Sequence, residues 1–391
     1  MKIAQLHPYP PELPGQIPIL PGGIAQGGSE TSSFRYALKL AEAGHDVTYY
    51  VGKYPGITVD TLELRDNFRL VYVKTIFKNV GPAFSFKLFW ELLRGKYDVI
   101  QSHQIPTNFS LIGGLAARLT GKPFLITFHG RLPAIFLDRW VGTLASYMAK
   151  AVTVQNQYAF DLVKSFVPKK RLAIIPHGID TDLFHKMKPD AKYTKKYNPD
   201  GDKVILFVGR LIPAKGVDVL LDALAVILKK HQDVKLVIAG DGPLHQELEA
   251  YAKKAGVKSK VLFAGAVQQE DLPHLYALSS VFVLPSTYHF ADGREIPNVS
   301  ENFGLVIAEA MMCEVPVVAS RVGGIPMWID DGITARLADE RNIHELASDI
   351  EDALYDNSKT NKKLVANGKK LIEDKYSWEA VIRQFEPYFR G

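Results

Sequence analysis

Residues 301–309 of the chain are Glu-Asn-Phe-Gly-Leu-Val-Ile-Ala-Glu, and the helix-forming segment Ala310-Met311-Met312 follows directly. This order predicts a polar loop that ends at Gly304 and continues into a buried helix. The first turn of a helix leaves backbone N–H groups without partners, and a glycine lets an anion approach them closely. Glu301 and Glu309 would then place a hydroxyl-binding carboxylate on either side of a phosphate, which is the layout of a sugar nucleotide. A plain amphipathic helix with a solvated Glu is the alternative.

Length and composition bound the class of protein. The chain has 391 residues, which predicts two or three domains with sizeable cores. Apolar residues make up 47% and charged residues 23%, as in ordinary globular proteins. The net charge of +5, from 47 basic and 42 acidic residues, is too small and too dispersed to indicate a nucleic-acid-binding protein.

The cysteine content and the first residues of the chain indicate the cellular compartment. Cys313 is the single cysteine, which excludes an intrachain disulfide and a cysteine zinc site and is typical of a reducing compartment. Residues 1–7 predict a first strand rather than a signal peptide, and no apolar run approaches the roughly 18 residues of a membrane span. We therefore expect a cytoplasmic protein, with peripheral attachment to the inner face of a membrane as the alternative.

Short apolar strands alternate with helical segments in both halves of the chain, which favours an α/β fold of two doubly wound parallel sheets. Between the halves, residues 186–203 are rich in lysine and lack a sustained apolar period, which is typical of a boundary. The predicted divisions are a first domain at 1–185, a linker at 186–202, a second domain at 203–375 and a terminal helix at 376–391.

Polar and glycine-rich segments follow several predicted strands, where ligands of open α/β sheets bind. Gly27-Gly28 precedes a helix and is a candidate anion site, although a flexible loop is equally consistent with it. Arg210 and Lys215 would stabilise a diphosphate leaving group without a metal, unless they are simply surface bases. His129 ends an apolar strand and would contact a sugar or an acceptor, or else bond a backbone carbonyl in the core. His177-Gly178 predicts a hinge.

Two other kinds of site are disfavoured. Glu301 and Glu309 resemble the acid/base pair of a glycoside hydrolase, but such a pair must flank the sugar, and these residues lie on one short element. Asp180-Thr181-Asp182 imitates a metal-binding pattern, but it lies at the domain boundary. No histidine/carboxylate cluster has metal-ligand spacing, so we expect neither a metal nor a cofactor.

Taken in order, the motifs resemble those of retaining glycosyltransferases of the GT-B fold, specifically family 4, the glycosyl transferase group 1 class. The resemblance covers nearly the whole chain, and the order and spacing of the motifs make it specific. The motifs, with their residue ranges, are Gly-Gly-Ser-Glu at 27–30, Thr-Phe-His-Gly at 127–130, Ile-Pro-His-Gly-Ile-Asp at 175–180, Val-Gly-Arg-Leu at 208–211 with Lys-Gly at 215–216, Gly-Asp-Gly-Pro at 240–243, the two glutamates of 301–309, and Gly-Gly-Ile-Pro at 323–326.

The resemblance implies two Rossmann-like domains facing across a cleft, with the last helix crossing back to the first domain. It implies a hexosyltransferase that moves a hexose from a UDP- or GDP-sugar, such as UDP-glucose or GDP-mannose, to a hydroxyl of a glycan, a lipid-linked glycan or a small molecule. The anomeric configuration would be retained without a metal. The implied catalytic residues are His129, Glu301, Arg210 and Lys215.

The resemblance also implies the donor-binding set. Gly27 and Gly28 would face the diphosphate, Glu301 would bind the sugar, and Glu309 would accept from the ribose. The base would lie near 265–267. The full set is Gly27, Gly28, Gly209, Arg210, Lys215, Gly240, Gly265, Val267, Glu301, Asn302, Phe303, Gly304, Leu305 and Glu309.

The sequence departs from the family pattern in three places. Residues 288–300 separate Glu301 from the preceding strand by more than is usual, which puts the position of Glu301 in question. Met327 stands where a Glu often follows Gly-Gly-Ile-Pro, and Ala335 replaces a usual Gly. These last two changes leave the catalytic set intact.

The acceptor is undetermined. Residues 84–94 and 131–140 combine bases with large apolar groups, and they predict either a membrane surface for a lipid-linked acceptor or ordinary core packing. A glycoside phosphorylase of the same fold is the alternative activity, although no matching pyridoxal-phosphate lysine motif is present. A non-catalytic nucleotide-binding module is disfavoured by the retained catalytic set.

Overall fold

The computed structural model describes residues 1–9, 28–54, 57–76, 84–130, 132, 136–288, 290–291, 294–295, 301–356 and 359–390. The chain divides into two compact units. The first, unit 1, contains Met1–Gly178 and Trp378–Gly391, and the second, unit 2, contains Ile179–Ser377. Each unit is a parallel α/β sheet with its own buried apolar core.

Unit 1 is built on an eight-stranded sheet with the order β3-β4-β2-β1-β5-β6-β7-β8. The strands are β1 (Lys2–His7), β2 (Asp46–Lys53), β3 (Thr61–Arg65), β4 (Phe68–Lys74), β5 (Val99–His103), β6 (Phe124–Thr127), β7 (Ala151–Val154) and β8 (Leu172–Ile174). All neighbouring pairs are parallel except β3–β4. Because the winding direction reverses at β1, the carboxyl ends of β1 and β5 form the crevice where ligands of such sheets bind.

Helices cover the sheet of unit 1. They are α1 (Gly28–Glu42), α2 (Phe86–Arg94), α3 (Asn108–Thr120), α4 (Phe136–Met148) and α5 (Gln157–Val163). Local chemistry fixes their ends: the Thr107 hydroxyl accepts from the N–H of Ser110 to begin α3, and Gly121 ends it in the left-handed conformation at φ 68°. Ser85 caps α2 in the same way.

Unit 2 contains a six-stranded parallel sheet with the order β11-β10-β9-β12-β15-β16, and its winding reverses between β9 and β12. The strands of this sheet are β9 (Lys203–Val208), β10 (Val234–Ala239), β11 (Val261–Gly265), β12 (Val281–Leu284), β15 (Val317–Ser320) and β16 (Arg336–Ala338). Between β12 and β15, the strands β13 (Phe290–Ala291) and β14 (Arg294–Glu295) form a separate antiparallel pair. The helices are α6 (Ala191–Tyr197), α7 (Val217–Ile227), α8 (His245–Lys254), α9 (Leu272–Leu278), α10 (Leu305–Met312), α11 (Ile343–Tyr355) and α12 (Lys359–Leu371).

The last helix, α13 (Trp378–Phe389), belongs to unit 1 although the whole of unit 2 precedes it in the chain. It buries an apolar face against α1, where the Tyr36 ring lies 5.6 Å from that of Trp378 and 5.0 Å from that of Phe385. Gly178 makes room for this packing, because a Cβ there would lie 2.1 Å from the indole of Trp378. The predicted return of the terminal helix to the first domain is confirmed.

The predicted α/β class with two doubly wound sheets is confirmed, but the division of the chain differs in detail. It falls at 178/179 rather than at 185/186, and the expected linker at 186–202 contains α6. Tyr197 of that helix is buried in the core of unit 2. Strand β3 was not predicted, because its residues are mostly exposed and carry no apolar run. In the described part of the chain, no helix is long and apolar enough to cross a membrane.

Candidate functional site

Three glycines at the carboxyl ends of β9, β10 and β11 bring neighbouring backbones into close contact. The N–H of Gly240 donates to the carbonyl of Gly265 at 2.7 Å. A Cβ on Gly240, whose φ is +148°, would lie 1.9 Å from the carbonyl oxygen of Gly209. Gly240 therefore excludes a side chain, and Gly265, at φ +71°, has a backbone conformation that favours glycine. Without side chains, the three positions expose a backbone surface, which is suited to close approach by a ligand.

The loop after β9 is fixed against the loop after β12. Gly216 turns at φ +61°, and a Cβ there would lie 2.0 Å from the carbonyl oxygen of Pro285. The N–H of Thr287 donates to the carbonyl of Ala214 at 2.9 Å. These contacts place Lys215 at the reversal point between β9 and β12, while Arg210 is exposed on the same loop.

Lys215 forms an ion pair with Glu301, and both side chains are largely buried, at 21% and 12% exposure. The Ser286 hydroxyl also donates to the Glu301 carboxylate, at 3.4 Å. On the backbone side, the N–H of Gly324 donates to the carbonyl of Glu301 at 2.9 Å, and a Cβ on Gly323 would lie 2.0 Å from that oxygen. Glu301 therefore lies at the reversal point, although residues 288–300 lengthen the preceding loop.

The predicted loop-to-helix transition is present at Gly304. This residue has φ +78°, a left-handed conformation that favours glycine, and α10 begins immediately after it. Phe303 stacks on Trp328 with ring centroids 4.7 Å apart, and Trp328 Nε1 donates to the carbonyl of Phe303 at 2.8 Å. These contacts anchor the loop on one side. The turn at Gly304 then sets where α10 begins.

Glu309 lies one turn inside α10 and is 8% exposed. The Tyr276 hydroxyl contacts a carboxylate oxygen of Glu309 at 3.0 Å and the carbonyl of Val306 at 3.1 Å. Burial, followed by the charge of Glu309, raises the pKa of Tyr276 well above its ordinary value, so this phenol stays protonated and donates. Tyr276 and Ser286 were not predicted from sequence, because neither lies in a recognisable motif.

The carboxyl edge of the sheet in unit 1 carries a row of histidines at or just after the ends of β1, β5, β6 and β8. Ring centroids are separated by 6.2 Å from His7 to His103, by 5.1 Å from His103 to His129, and by 5.1 Å from His129 to His177. His177 was predicted as part of a hinge. The division between the two units falls directly after Gly178, as that prediction expects. The His177 ring also stacks on His129, and its Nδ1 lies 3.3 Å from the hydroxyl of Ser32.

Burial determines the charge of this row. It lowers the pKa of His103 and of His129 well below the ordinary range, and neighbouring histidines lower both further. Burial also lowers the pKa of His177 to about 4. These three rings are therefore neutral at neutral pH. A repeated signal was present in the sequence, since each of the four histidines stands at or shortly after the end of a strand.

The other predicted residues are distributed as follows. Gly27 lies outside the described residues, and Gly28 is the first residue of α1. Val267 follows β11 and packs against the core, and Asn302 and Leu305 flank the loop at Gly304. The structure thus brings the predicted donor residues of unit 2 to one edge of its sheet. Within the described ranges, no three His, Cys, Asp or Glu side chains are grouped so that they could hold a metal ion.

Helices α2, α3 and α4 form the apolar surface that the sequence left undecided. Helix α3 contacts both of its neighbours. The large apolar side chains exposed on these helices are Phe86, Trp90, Leu115, Leu119, Phe136, Leu137, Trp140, Leu144 and Tyr147. Exposed basic residues accompany them, namely Lys87, Arg94, Arg118 and Arg139. Core packing of the aromatic residues is therefore wrong for Phe86, Trp90 and Trp140, which are more than half exposed; Arg131 and residues 133–135 lie outside the described residues.

Two doubly wound α/β units, with polar residues at the carboxyl edges and a terminal helix returned to the first unit, define the class of GT-B glycosyltransferases. The solved structure of HepE from Anabaena in complex with UDP has this fold, with a TM-score of 0.77, 21% identity and 99% of each chain covered.

The family follows from the sequence. The model described as "Glycosyl transferases group 1" matches residues 190–371, and "Glycosyltransferase Family 4" matches residues 26–183. The chain belongs to glycosyltransferase family 4 and is a glycosyltransferase enzyme, as the resemblance implied.

Two relatives cover most of the chain. An uncharacterised glycosyltransferase of Methanocaldococcus jannaschii is 28% identical, with 98% of this chain and 96% of the relative covered. The GDP-mannose-dependent alpha-(1-6)-phosphatidylinositol monomannoside mannosyltransferase of Mycolicibacterium smegmatis is 29% identical, with 85% of this chain and 87% of the relative covered.

Proposed function

We propose that this enzyme transfers a hexose from a UDP- or GDP-linked sugar to a hydroxyl acceptor, with retention of the anomeric configuration and without a metal ion. The observation that carries the proposal is the grouping of Lys215, Glu301 and the amino end of α10 at the reversal point of the sheet in unit 2. The lysine cation and the N–H groups of the first helical turn suit the diphosphate, and the glutamate carboxylate can accept hydrogen bonds from hydroxyls of the sugar joined to it.

In the proposed reaction, the acceptor oxygen attacks the anomeric carbon from the face on which the diphosphate departs. The bond from that carbon to the diphosphate oxygen breaks, and the acceptor proton passes to the departing diphosphate. Arg210 and Lys215 stabilise the negative charge that develops on the leaving group. Glu301 binds hydroxyls of the sugar, which requires it to exchange its bond with Lys215 for bonds to the donor.

The remaining donor contacts follow from the same edge. Glu309, oriented by Tyr276, accepts hydrogen bonds from the ribose. The backbone surface at Gly209, Gly240 and Gly265 permits close approach of the nucleoside, whose base lies near 265–267. In unit 1, His129 contacts the donor sugar, and the start of α1 at Gly28 contacts the diphosphate.

The apolar surface on α2, α3 and α4 supports a lipid-linked acceptor. Aromatic side chains exposed beside arginine and lysine are the composition of a surface that binds anionic lipid headgroups. The mycobacterial relative acts on a phosphatidylinositol mannoside with GDP-mannose as donor. GDP-mannose and a glycolipid are therefore the first pair of substrates to test, and peripheral attachment to a membrane accompanies this proposal.

A donor panel tests the proposal. UDP, GDP, ADP and their sugars are compared by thermal shift, and the stabilising donor is then incubated with phosphatidylinositol glycolipids. We expect one nucleotide sugar to stabilise the protein, transfer to survive EDTA, and NMR of the product to show the anomeric configuration of the donor. Loss of transfer in EDTA would contradict metal independence. Release of hexose phosphate from a disaccharide with phosphate alone would instead establish the phosphorylase.

A further inference from the structure

A chain of polar side chains is buried inside the sheet of unit 1. Gln5 on β1, Gln101 on β5 and Thr153 on β7 are each 0% exposed, and Thr127 on β6 is 8% exposed. They lie on strands whose buried residues are largely apolar. Burying a polar group costs free energy unless it is hydrogen-bonded, and these four side chains bond one another across neighbouring strands. The chain ends at the histidine row.

The amide groups give this chain a direction. Gln101 Nε2 donates to the Thr127 hydroxyl at 2.8 Å, so Gln101 Oε1 faces the other way. That oxygen accepts from the Tyr36 hydroxyl at 3.2 Å and from Gln5 Nε2 at 3.0 Å. The Oε1 atom of Gln5 therefore points to His103, whose Nε2 lies 2.6 Å away.

The direction determines where the ring protons are. An amide oxygen only accepts, so the proton of neutral His103 is on Nε2 and its Nδ1 carries a lone pair. His103 Nδ1 lies 2.9 Å from Nε2 of His129, so Nε2 of His129 must carry a proton and donate it. His129 has one ring proton when neutral, and its Nδ1 is consequently an acceptor. This Nδ1 is buried and has no partner among the residues that the structure describes.

We propose that Gln101, Gln5 and His103 are positioning residues that fix His129 in the tautomer protonated on Nε2, so that Nδ1 accepts a hydrogen bond from a hydroxyl of the donor sugar. The inference rests on the proposed function, because the sugar is the partner of Nδ1. The orientation has a chemical consequence. A hydroxyl that donates to a nitrogen lone pair becomes richer in electrons, which stabilises the positive charge that develops on a sugar ring during glycosyl transfer. A ring N–H at the same position would withdraw electrons and oppose that charge.

The first test is spectroscopic and needs no ligand. In ¹H–¹⁵N spectra of the full chain labelled on histidine, protonated and bare ring nitrogens are distinguished directly, and His129→Asn assigns the signals of His129. We expect a proton on Nε2 and a bare Nδ1. If the side-chain amides of Gln5 and Gln101 had the opposite orientation, every hydrogen bond in the chain would run in the opposite direction. A proton on Nδ1 of His129 in the unaltered protein would therefore overturn the proposal.

The second test uses variants with matched changes. His103→Asn keeps an oxygen acceptor near the position of Nδ1, and it should preserve the tautomer and most of the activity. His103→Leu and Gln5→Met should populate both tautomers of His129. Asn67→Leu is the control, because it removes bonds to Ala41 and His45 beyond the amino end of β4, at the opposite edge of the same sheet. It should destabilise unit 1 without changing the tautomer.

The third test is kinetic. For Gln5→Met we expect kcat to fall about 10-fold, which corresponds to one well-formed hydrogen bond in the transition state. The affinity for the nucleoside diphosphate should be unchanged, because this ligand lacks the hexose of the donor. Equal kcat in Gln5→Met and the unaltered enzyme would overturn the proposal. If no nucleotide sugar binds the unaltered protein, the proposed function fails, whereas the spectrum still reports the tautomer. The spectrum also decides the matter if a variant fails to fold.

Discussion

Lys215 and Glu301 form an ion pair across the reversal point of the sheet in unit 2, although 86 positions separate them in sequence. The close approach of Gly216 to Pro285 fixes the lysine side, and Gly323 and Gly324 fix the backbone of the glutamate. In the proposed function, donor binding replaces this pair by two new ones, lysine with phosphate and glutamate with sugar hydroxyls. The pair therefore keeps two largely buried charges compensated and oriented before the donor arrives.

Substitution of Lys215 by methionine should reduce kcat/KM by about 100- to 1,000-fold, because a charge aimed at the leaving group is lost. Initial rates at saturating acceptor give the measurement. Lys229→Met is the matched control, since Lys229 is exposed near the end of α7, at the amino edge of the sheet. A loss below threefold for Lys215→Met would contradict the assignment to the diphosphate.

Substitution of Glu309 by glutamine should weaken nucleotide binding about 10-fold, because a charge-assisted bond to the ribose becomes a neutral one. Isothermal titration with the nucleoside diphosphate measures it. Tyr276→Phe should give a smaller loss, since it removes only the donor that orients the carboxylate. A 2′-deoxynucleotide should bind the Glu309→Gln variant and the unaltered enzyme with nearly equal affinity; unchanged affinity for the ribonucleotide would count against the ribose contact.

The double variant Trp90→Ala/Trp140→Ala should bind anionic vesicles at least 10-fold more weakly than the unaltered protein, because each indole contributes on the order of 2 kcal/mol when buried. Co-sedimentation with phosphatidylglycerol vesicles measures binding. Ile333→Ala, at an exposed apolar position of unit 2, is the control. Equal sedimentation of all three proteins would exclude the α2–α4 surface as the attachment site.

Unit 1 should lose stability as the pH falls below about 6.5. The folded-state pKa values of His103, His129 and His177 are depressed, the last to about 4, so the unfolded chain binds more protons in this window. Stability is therefore complete above the unfolded pKa and is lost on acidification, by up to about 1.4 kcal/mol per pH unit for each histidine.

Urea unfolding at pH 7.5, 6.0 and 5.0 measures this dependence. A Trp328→Phe background restricts the tryptophan signal to unit 1, because the other tryptophans, Trp90, Trp140 and Trp378, all lie there. Adding His177→Gln should flatten the dependence, whereas His245→Gln in unit 2 should not. An equal free energy of unfolding at the three pH values would contradict the neutral state of the row.

Much of the fold was predictable because each signal was local. Apolar runs of four to six residues predicted strands such as β9 and β12, and Gly304 followed by an apolar run predicted the start of α10. The position of the domain boundary was not predictable. Polar residues around α6 resemble a linker, and only the burial of Tyr197 in the core of unit 2 assigns that helix.

The part of the candidate site that lies in motifs was predictable, because a motif specifies residue types at fixed spacing. Motifs predicted Lys215, Glu301, Glu309 and His129 as candidate residues in this way. Gln5, Gln101 and His103 were not predicted, because a polar residue inside an apolar strand has no meaning until the partner strand is known. Strand order brings β1 beside β5 and β5 beside β6.

By itself, the sequence determined the α/β class and the family, and it predicted the residues that are proposed to carry the chemistry, because apolar periodicity, glycine positions and motif order are properties of short segments. Tertiary structure alone decided that Lys215 meets Glu301, that the aromatic residues of α2 and α4 are exposed, and that His129 ends a buried chain of hydrogen bonds. These relationships join residues that are distant in sequence, and they depend on strand register and packing, which no local segment specifies.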